Sequence, residues 1–431
     1  MQVVTIKKAT IPLLMSLFVV LGVAAGKRKL RPVATDSLAP PASCRLVLAP
    51  LPVDKPIDHE IARQQALILN GSNSGLERLG WTFIKKARLS FDAGFYKLAE
   101  QCAACMEARG ASGPDALLLR AHVLQSLHHF AEAESAAREL VRLRERPFDY
   151  GVLGDILVDQ GKVREGAAAY QKMVDLRPDL QSYARAAHVR WLTGDLSGAI
   201  GLMKLATSAS SPNDPEAAAW AFTRLALYQL QRGAMKQALE SCDAALSMQS
   251  DYAPAMFARG RTLLAMNRTD EALVELQRAA KLNPLPEYQW ALEDALNGKS
   301  QIVTRSDTED PRALSLYLAT RNEDVERAVR LAQQELTNRA DVFTHDALAW
   351  ALAAAGRTAE AQQHMNQALS EGTADARLYL HAGVIAALNN DNNQARRWLE
   401  EAAAIKQMLL PSEQAQLDAW RQRTNRKNPK E

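Results

Sequence analysis

Small and apolar residues recur along most of this chain with a helical spacing that itself repeats, which makes internal periodicity the first thing to establish. One stretch shows the pattern whole. It places Gly260, Ala272 and Ala279 at fixed offsets between Ala253 and Pro284. Gly260 and Ala272 fall where two antiparallel helices cross most closely, so only a small side chain fits. Ala279 faces the following unit, and Pro284 stops the second helix and sets the turn.

The same frame recurs in both directions. Upstream it is marked by Ala226/Ala238/Ala245, Ala187/Ala199/Ala206, Gly154/Gly166/Pro178, Ala121/Ala133 and Ala87/Ala99. Downstream it is marked by Ala349/Ala361/Ala368 and Gly383/Ala395/Ala402. A degenerate unit, with Leu316 and Ala328 at the small-residue positions, precedes these two. Neighbouring units are offset by 33 or 34 residues except at an insertion, Ser208–Pro215, and a break near 287–308. The expected fold is all-α, a helix-turn-helix solenoid of about nine units.

These offsets resemble the tetratricopeptide repeat (TPR) over roughly 80–410. The chain is similar in layout to bacterial TPR proteins that are membrane-anchored or exported and have no known function. Two departures stand out: no unit carries Trp at position 4, and Leu316 replaces a small residue.

The first residues follow another pattern. Lys7 and Lys8 precede an uncharged apolar run from Ala9 to Ala25, the layout of a signal peptide and just enough to span a bilayer as an anchor. Lys27, Arg28, Lys29 and Arg31 follow at once, resist translocation and pull towards cytoplasmic anchoring. The cell envelope is expected, periplasmic side favoured. The division that follows is 1–26 signal or anchor, 27–58 Pro-rich linker, and 59–286 a cap helix with six units. After these come 287–308 as short helix and linker, 309–410 as three units, and 411–431 as a tail.

Composition adds little against this. Charged residues are 23%, and 52 basic and 49 acidic residues are well mixed, so no nucleic-acid surface is expected. Oligomeric state is not legible. Four cysteines, Cys44, Cys102, Cys105 and Cys242, are too few and irregular for a disulfide framework.

No phosphate loop, zinc-protease motif or nucleophile elbow occurs, so neither a cofactor nor catalysis is expected. Cys102 and Cys105, with His122 near, form one alternative: a redox or metal-handling pair. They fall mid-helix, where small packing residues are the simpler reading, whereas a reactive dithiol wants a helix N-terminus. His128 and His129 read as an interhelical turn. Self-assembly through the Ala-rich C-terminal units is a further alternative.

The TPR resemblance implies that a partner peptide or helix binds the concave groove, lined by positions 2, 5, 9 and 12 of each first helix. The residues assigned to that groove are Trp81, Arg88, Phe91, His122, Gln125, Asp155, His188, Trp191, Trp220, Phe257 and Arg261. No unit has Asn at position 9 or Lys at position 5, so the dicarboxylate clamp of co-chaperone TPR domains is not expected.

Overall fold

A computed structural model describes residues 41–70, 75–90, 92–296 and 311–425. Twenty-two α-helices and one short 3-10 turn make up the described residues, with no strand among them. The N-terminal apolar run lies outside the described residues, and no described helix is long and apolar enough to cross a membrane.

Nine helix pairs carry the repeat. Two helices come before them, α1 (Ala42–Val47) and α2 (Pro56–Leu69). The first three pairs are α3 (Gly75–Ser90) with α4 (Gly94–Ala108), α5 (Pro114–Ser126) with α6 (Phe130–Leu143), and α7 (Pro147–Asp159) with α8 (Val163–Leu176). Next come α9 (Leu180–Leu192) with α10 (Leu196–Ser208), α11 (Pro215–Gln231) with α12 (Met235–Met248), and α13 (Ala253–Ala265) with α14 (Thr269–Leu282). A single helix, α15 (Pro286–Ala295), follows. The last pairs are α16 (Pro311–Arg321) with α17 (Val325–Asn338), α18 (Val342–Ala354) with α19 (Thr358–Ala368), and α20 (Ala376–Leu388) with α21 (Asn392–Ala404). A 3-10 turn (Lys406–Met408) and α22 (Pro411–Asn425) end the described chain.

The crossings are made by the residues that the period selects. Ala121, Ala133, Ala187, Ala199, Ala238 and Ala272 are all fully buried. At Gly154 a β-carbon would stand 2.4 Å from the Tyr170 ring, whose hydroxyl is held by Asp155 at 2.7 Å. The ring is therefore not free to retreat. Gly154→Ala should lower stability by about 1–3 kcal/mol, the usual cost of overpacking, read as a drop in urea midpoint at unchanged slope.

In units two to six, eight and nine the backbone turns left-handed seven residues beyond the crossing residue: His128, Gly161, Gly194, Gly233, Asn267, Gly356 and Asn390. The seventh unit obeys the same rule through Asn322, which places its crossing residue at Ser315, not Leu316. Ser315 is fully buried and its hydroxyl donates to the Ala328 carbonyl at 2.8 Å. The unit looked degenerate because its turn has gained a residue: Asp324, also left-handed, caps α17 by accepting from the Arg327 amide.

Two segments fold beyond expectation. The stretch read as an extended linker contains α1, whose Cys44 and Val47 are fully buried against the first unit. Cys44 is joined by a disulfide to Cys105 on α4, closing 61 residues of chain. The stretch read as a C-terminal tail is largely α22. Its Glu413, 4% exposed, accepts from Arg377 Nε of α20 at 2.6 Å, and Leu417 completes the last core.

The solenoid winds back on itself. The end of α17 and the three segments that follow the second helices of units seven to nine seat on the C-terminal ends of first helices in units two to six. Glu335 meets His128 at 3.4 Å, and Arg339 meets Asp159 at 3.0 Å. The Thr373 hydroxyl donates to the Leu192 carbonyl at 2.6 Å, and Gln231 Nε2 donates to that of Ala374 at 2.6 Å. Gln407 donates to the Gln231 carbonyl, Arg261 to that of Met408, and the Ser412 amide to Asp294.

Candidate partner-binding groove

Position 9 side chains Arg88, Asp155 and His188 line one cavity between the first helices, and position 12 Trp191 lines the next. The winding-back splits the inner face into sealed and open parts, and the eleven assigned residues divide accordingly.

Several are consumed within the fold. Trp81 packs on His122 at 5.2 Å between ring centres and meets Phe148 edge-on at 5.9 Å. Gln125 donates to Asp159 at 3.0 Å. Trp191 stacks on Phe343 of α18 at 5.8 Å and donates to Gln231 at 2.8 Å, so a side chain of the far units occupies its face. Phe257 lies on Tyr288 at 4.5 Å, and Arg261 donates to the Met408 carbonyl. Phe91 lies outside the described residues.

The others surround open space. A cavity of about 500 Å³ is lined by Arg88, Asp155, Arg185, His188, Trp220 and Arg224, with Tyr252 on its wall. Arg88 reaches across from the first unit to Glu216 of the fifth, 3.3 Å away, and both line the cavity. Trp220 keeps 40% of its surface exposed there. A second cavity, of about 400 Å³, adjoins the first at His188 and Arg224 and is closed on its other side by Arg339, Asp341 and Phe343. A third, of about 250 Å³, lies between Phe257, Trp290 and Arg377.

Electrostatics in the open part is set by burial. His188 stacks on Trp191 at 5.6 Å, and loss of hydration, reinforced by the Arg224 charge, pulls its pKa down to about 4. His122 is likewise pulled to about 4 by burial; Asp155 opposes the shift while Arg88 and Arg185 add to it. Its Nδ1 is buried with no hydrogen-bond partner. Asp155 accepts from Tyr170 and from Nε and Nη2 of Arg185, at 2.7 to 3.1 Å. Arg185 and Arg224 stand at position 6, beside the positions read from sequence. Only their equivalence in neighbouring units would have drawn them out.

The cysteine alternative does not survive this geometry. Cys105 is bonded to Cys44, so it forms no dithiol with Cys102. Cys102 is fully buried, and burial raises its thiol pKa far above the ordinary range, leaving an inert packing group. Among the described residues no group of three or more His, Cys, Asp or Glu side chains is placed to hold a metal ion.

Residues 229–296 match the family model described as tetratricopeptide repeat, a stretch covering α12 to α15. No curated protein matches the chain. Solved structures that align with it include YrrB, described as a TPR protein with an unusual peptide-binding site. It is 17% identical over 46% of this chain and 96% of its own, with a TM-score of 0.32. A human IFIT1 dimer with PPP-AAAA aligns at 13% identity over 78% and 73%, TM-score 0.43. The Cut9–Hcn1 hetero-tetramer of the APC/C aligns at 13% over 85% and 92%, TM-score 0.35.

Proposed function

We propose that this chain, a tetratricopeptide-repeat protein, is a protein-interaction scaffold of the cell envelope that takes a short segment of a partner into the cavity of units one to five. The observation that carries the reading is the contrast along one inner face. Where units seven to nine seat, Phe343 on Trp191 and the Met408 carbonyl on Arg261 narrow the groove to cavities of about 400 and 250 Å³. Around Trp220, Arg224 and Tyr252 it is open and amphipathic, with the volume of a ligand site and an aromatic at its rim.

The Cys44–Cys105 disulfide supports the exported side, because such bonds persist in oxidising compartments and are rare in a reducing cytosol. The apolar N-terminal run is then the export signal or anchor that brings the solenoid there. Thiol labelling in intact cells tests the location. Cys44 and Cys105 should stay unlabelled after denaturation until a reductant is added, and free thiols at both would place the domain in the cytoplasm.

Trp220→Ala should weaken capture of the partner on the order of 30-fold, the loss typical of a buried aromatic anchor of about 2 kcal/mol. It should leave the melting temperature nearly unchanged, since the side chain supports no core in the free protein. A photo-crosslinking residue at position 220 should trap the partner, and the same residue at the outward-facing Leu176 should not. Equal trapping at both sites would remove the groove from consideration.

A further inference from the structure

The repeat supplies its own control for the chemistry of this cavity. Arg185 and Arg224 are equivalent residues, each two positions before the crossing alanine of its unit, Ala187 and Ala226. Each faces the residue one position after the crossing residue of the unit before. For Arg185 that residue is Asp155, and the two form a bidentate pair at 2.7 to 3.1 Å. For Arg224 the same place holds His188, which is neutral at pH 7.

Arg224 therefore lacks the carboxylate that its counterpart has. Among the described residues no carboxylate reaches its guanidinium within 4.0 Å. It lies over the rings of Trp191 at 5.7 Å and Tyr228 at 5.3 Å, with one long contact, 3.4 Å, to the Tyr228 hydroxyl. The other charges of the cavity are engaged: Arg88 with Glu216, and Asp214 on the Ala217 amide. Glu371 lines the adjoining cavity without forming an ion pair with Arg224.

We infer that Arg224 anchors an aspartate or glutamate side chain of an extended partner segment, which takes the place that Asp155 fills for Arg185. A guanidinium held over the Trp191 and Tyr228 rings presents its paired N–H groups to a carboxylate with little further ordering. The side chain, not a chain terminus, is assigned because the two cavities meet at His188 and Arg224. A segment running from one into the other crosses Arg224 at its middle. The inference rests on the groove reading above and adds to it the chemistry of the ligand.

The test uses an array of nonapeptides, acetylated and amidated, with Asp, Glu, Asn or Gln fixed at the centre and the flanks randomised. A second set carries a free C-terminus and no acid. Wild-type protein should retain the central-acid peptides on the order of 30-fold better than their amide twins, the worth of one charge-assisted contact. Arg224→Gln should erase that preference while leaving retention of the amide twins intact, and Arg224→Lys should keep part of it. An acid preference that persists in Arg224→Gln would overturn the assignment. A preference for the free C-terminus would overturn the side-chain source. Retention with no preference for acid would sink the anchor and leave the groove standing. No retention of any peptide by folded protein would sink both.

Discussion

Acidifying this protein from pH 7 to pH 5 should already remove stability, above the range in which ordinary carboxylates are protonated in bulk, and the loss should reach several kcal/mol by pH 4. The cause is two imidazoles half-buried inside the solenoid. His122 is wedged against Trp81 and His188 against Trp191, and burial holds both near pKa 4 against about 6.5 in an unfolded chain. Between those values the unfolded chain binds protons that the folded chain refuses. The sign follows directly: the stabilisation is complete above pH 6.5 and is lost as pH falls towards 4. At 1.36 kcal/mol per pKa unit, each histidine is worth on the order of 3 kcal/mol over that window.

Urea midpoints at pH 7, 6, 5 and 4 would measure the loss, and a His122→Asn/His188→Gln variant should show a flatter profile. A wild-type midpoint unchanged from pH 7 to pH 5 would exclude the effect. Below pH 4.5 a separate loss sets in. Burial alone would raise the Glu134 pKa, but hydrogen bonds from Lys162 and Arg138 outweigh it and hold the group at about 2. The stabilisation from Glu134 is present above pH 4.5 and fades as pH falls towards 2.

Reduction of Cys44–Cys105, or Cys44→Ser, should destabilise the N-terminal end by about 4 kcal/mol. Closing 61 residues removes loop entropy of that size from the unfolded ensemble. The bond fixes α1 against α4, so its loss releases the short helix and then α2, whose Gln65 is bonded to the carbonyls of Val47 and Ala49. A calorimetric scan with reductant should show a new low-temperature transition carrying a minor part of the helical signal, ahead of the main one. Coincident scans with and without reductant would show that α1 contributes nothing to the fold.

The register of the solenoid was legible because the crossing positions tolerate only small residues, and each such constraint is local to one unit. The seventh unit was misread by one position because a single inserted residue, Asp324, moved its second helix relative to its first. Buried Ser315 satisfies the same crossing rule as alanine. The groove was legible only in part. Arg88, Asp155 and His188 do line one cavity, but whether a side chain of the inner face meets solvent or Phe343, Thr373 and Met408 depends on the curvature accumulated over many units. No single repeat encodes that sum. The cysteines were obscure for a related reason: Cys102 and Cys105 are close in sequence, whereas the bonded pair joins helices whose packing no local pattern gives away.

Solenoids are commonly treated as one-dimensional chains, in which each repeat is stabilised by its neighbours and ends fray freely. Here Gln231, Leu192 and Asp159 are bonded to residues 143 to 181 positions further along, so the array is tied into a loop of interactions. A nearest-neighbour description leaves those bonds out. They raise the average sequence separation of contacts, which slows the search for the native state. They also make repeats in the middle depend on repeats at the end. Deleting the last three units is then unlike shortening a uniform array: the polar ends of α7, α9 and α11 would lose partners at the same time as the chain lost length.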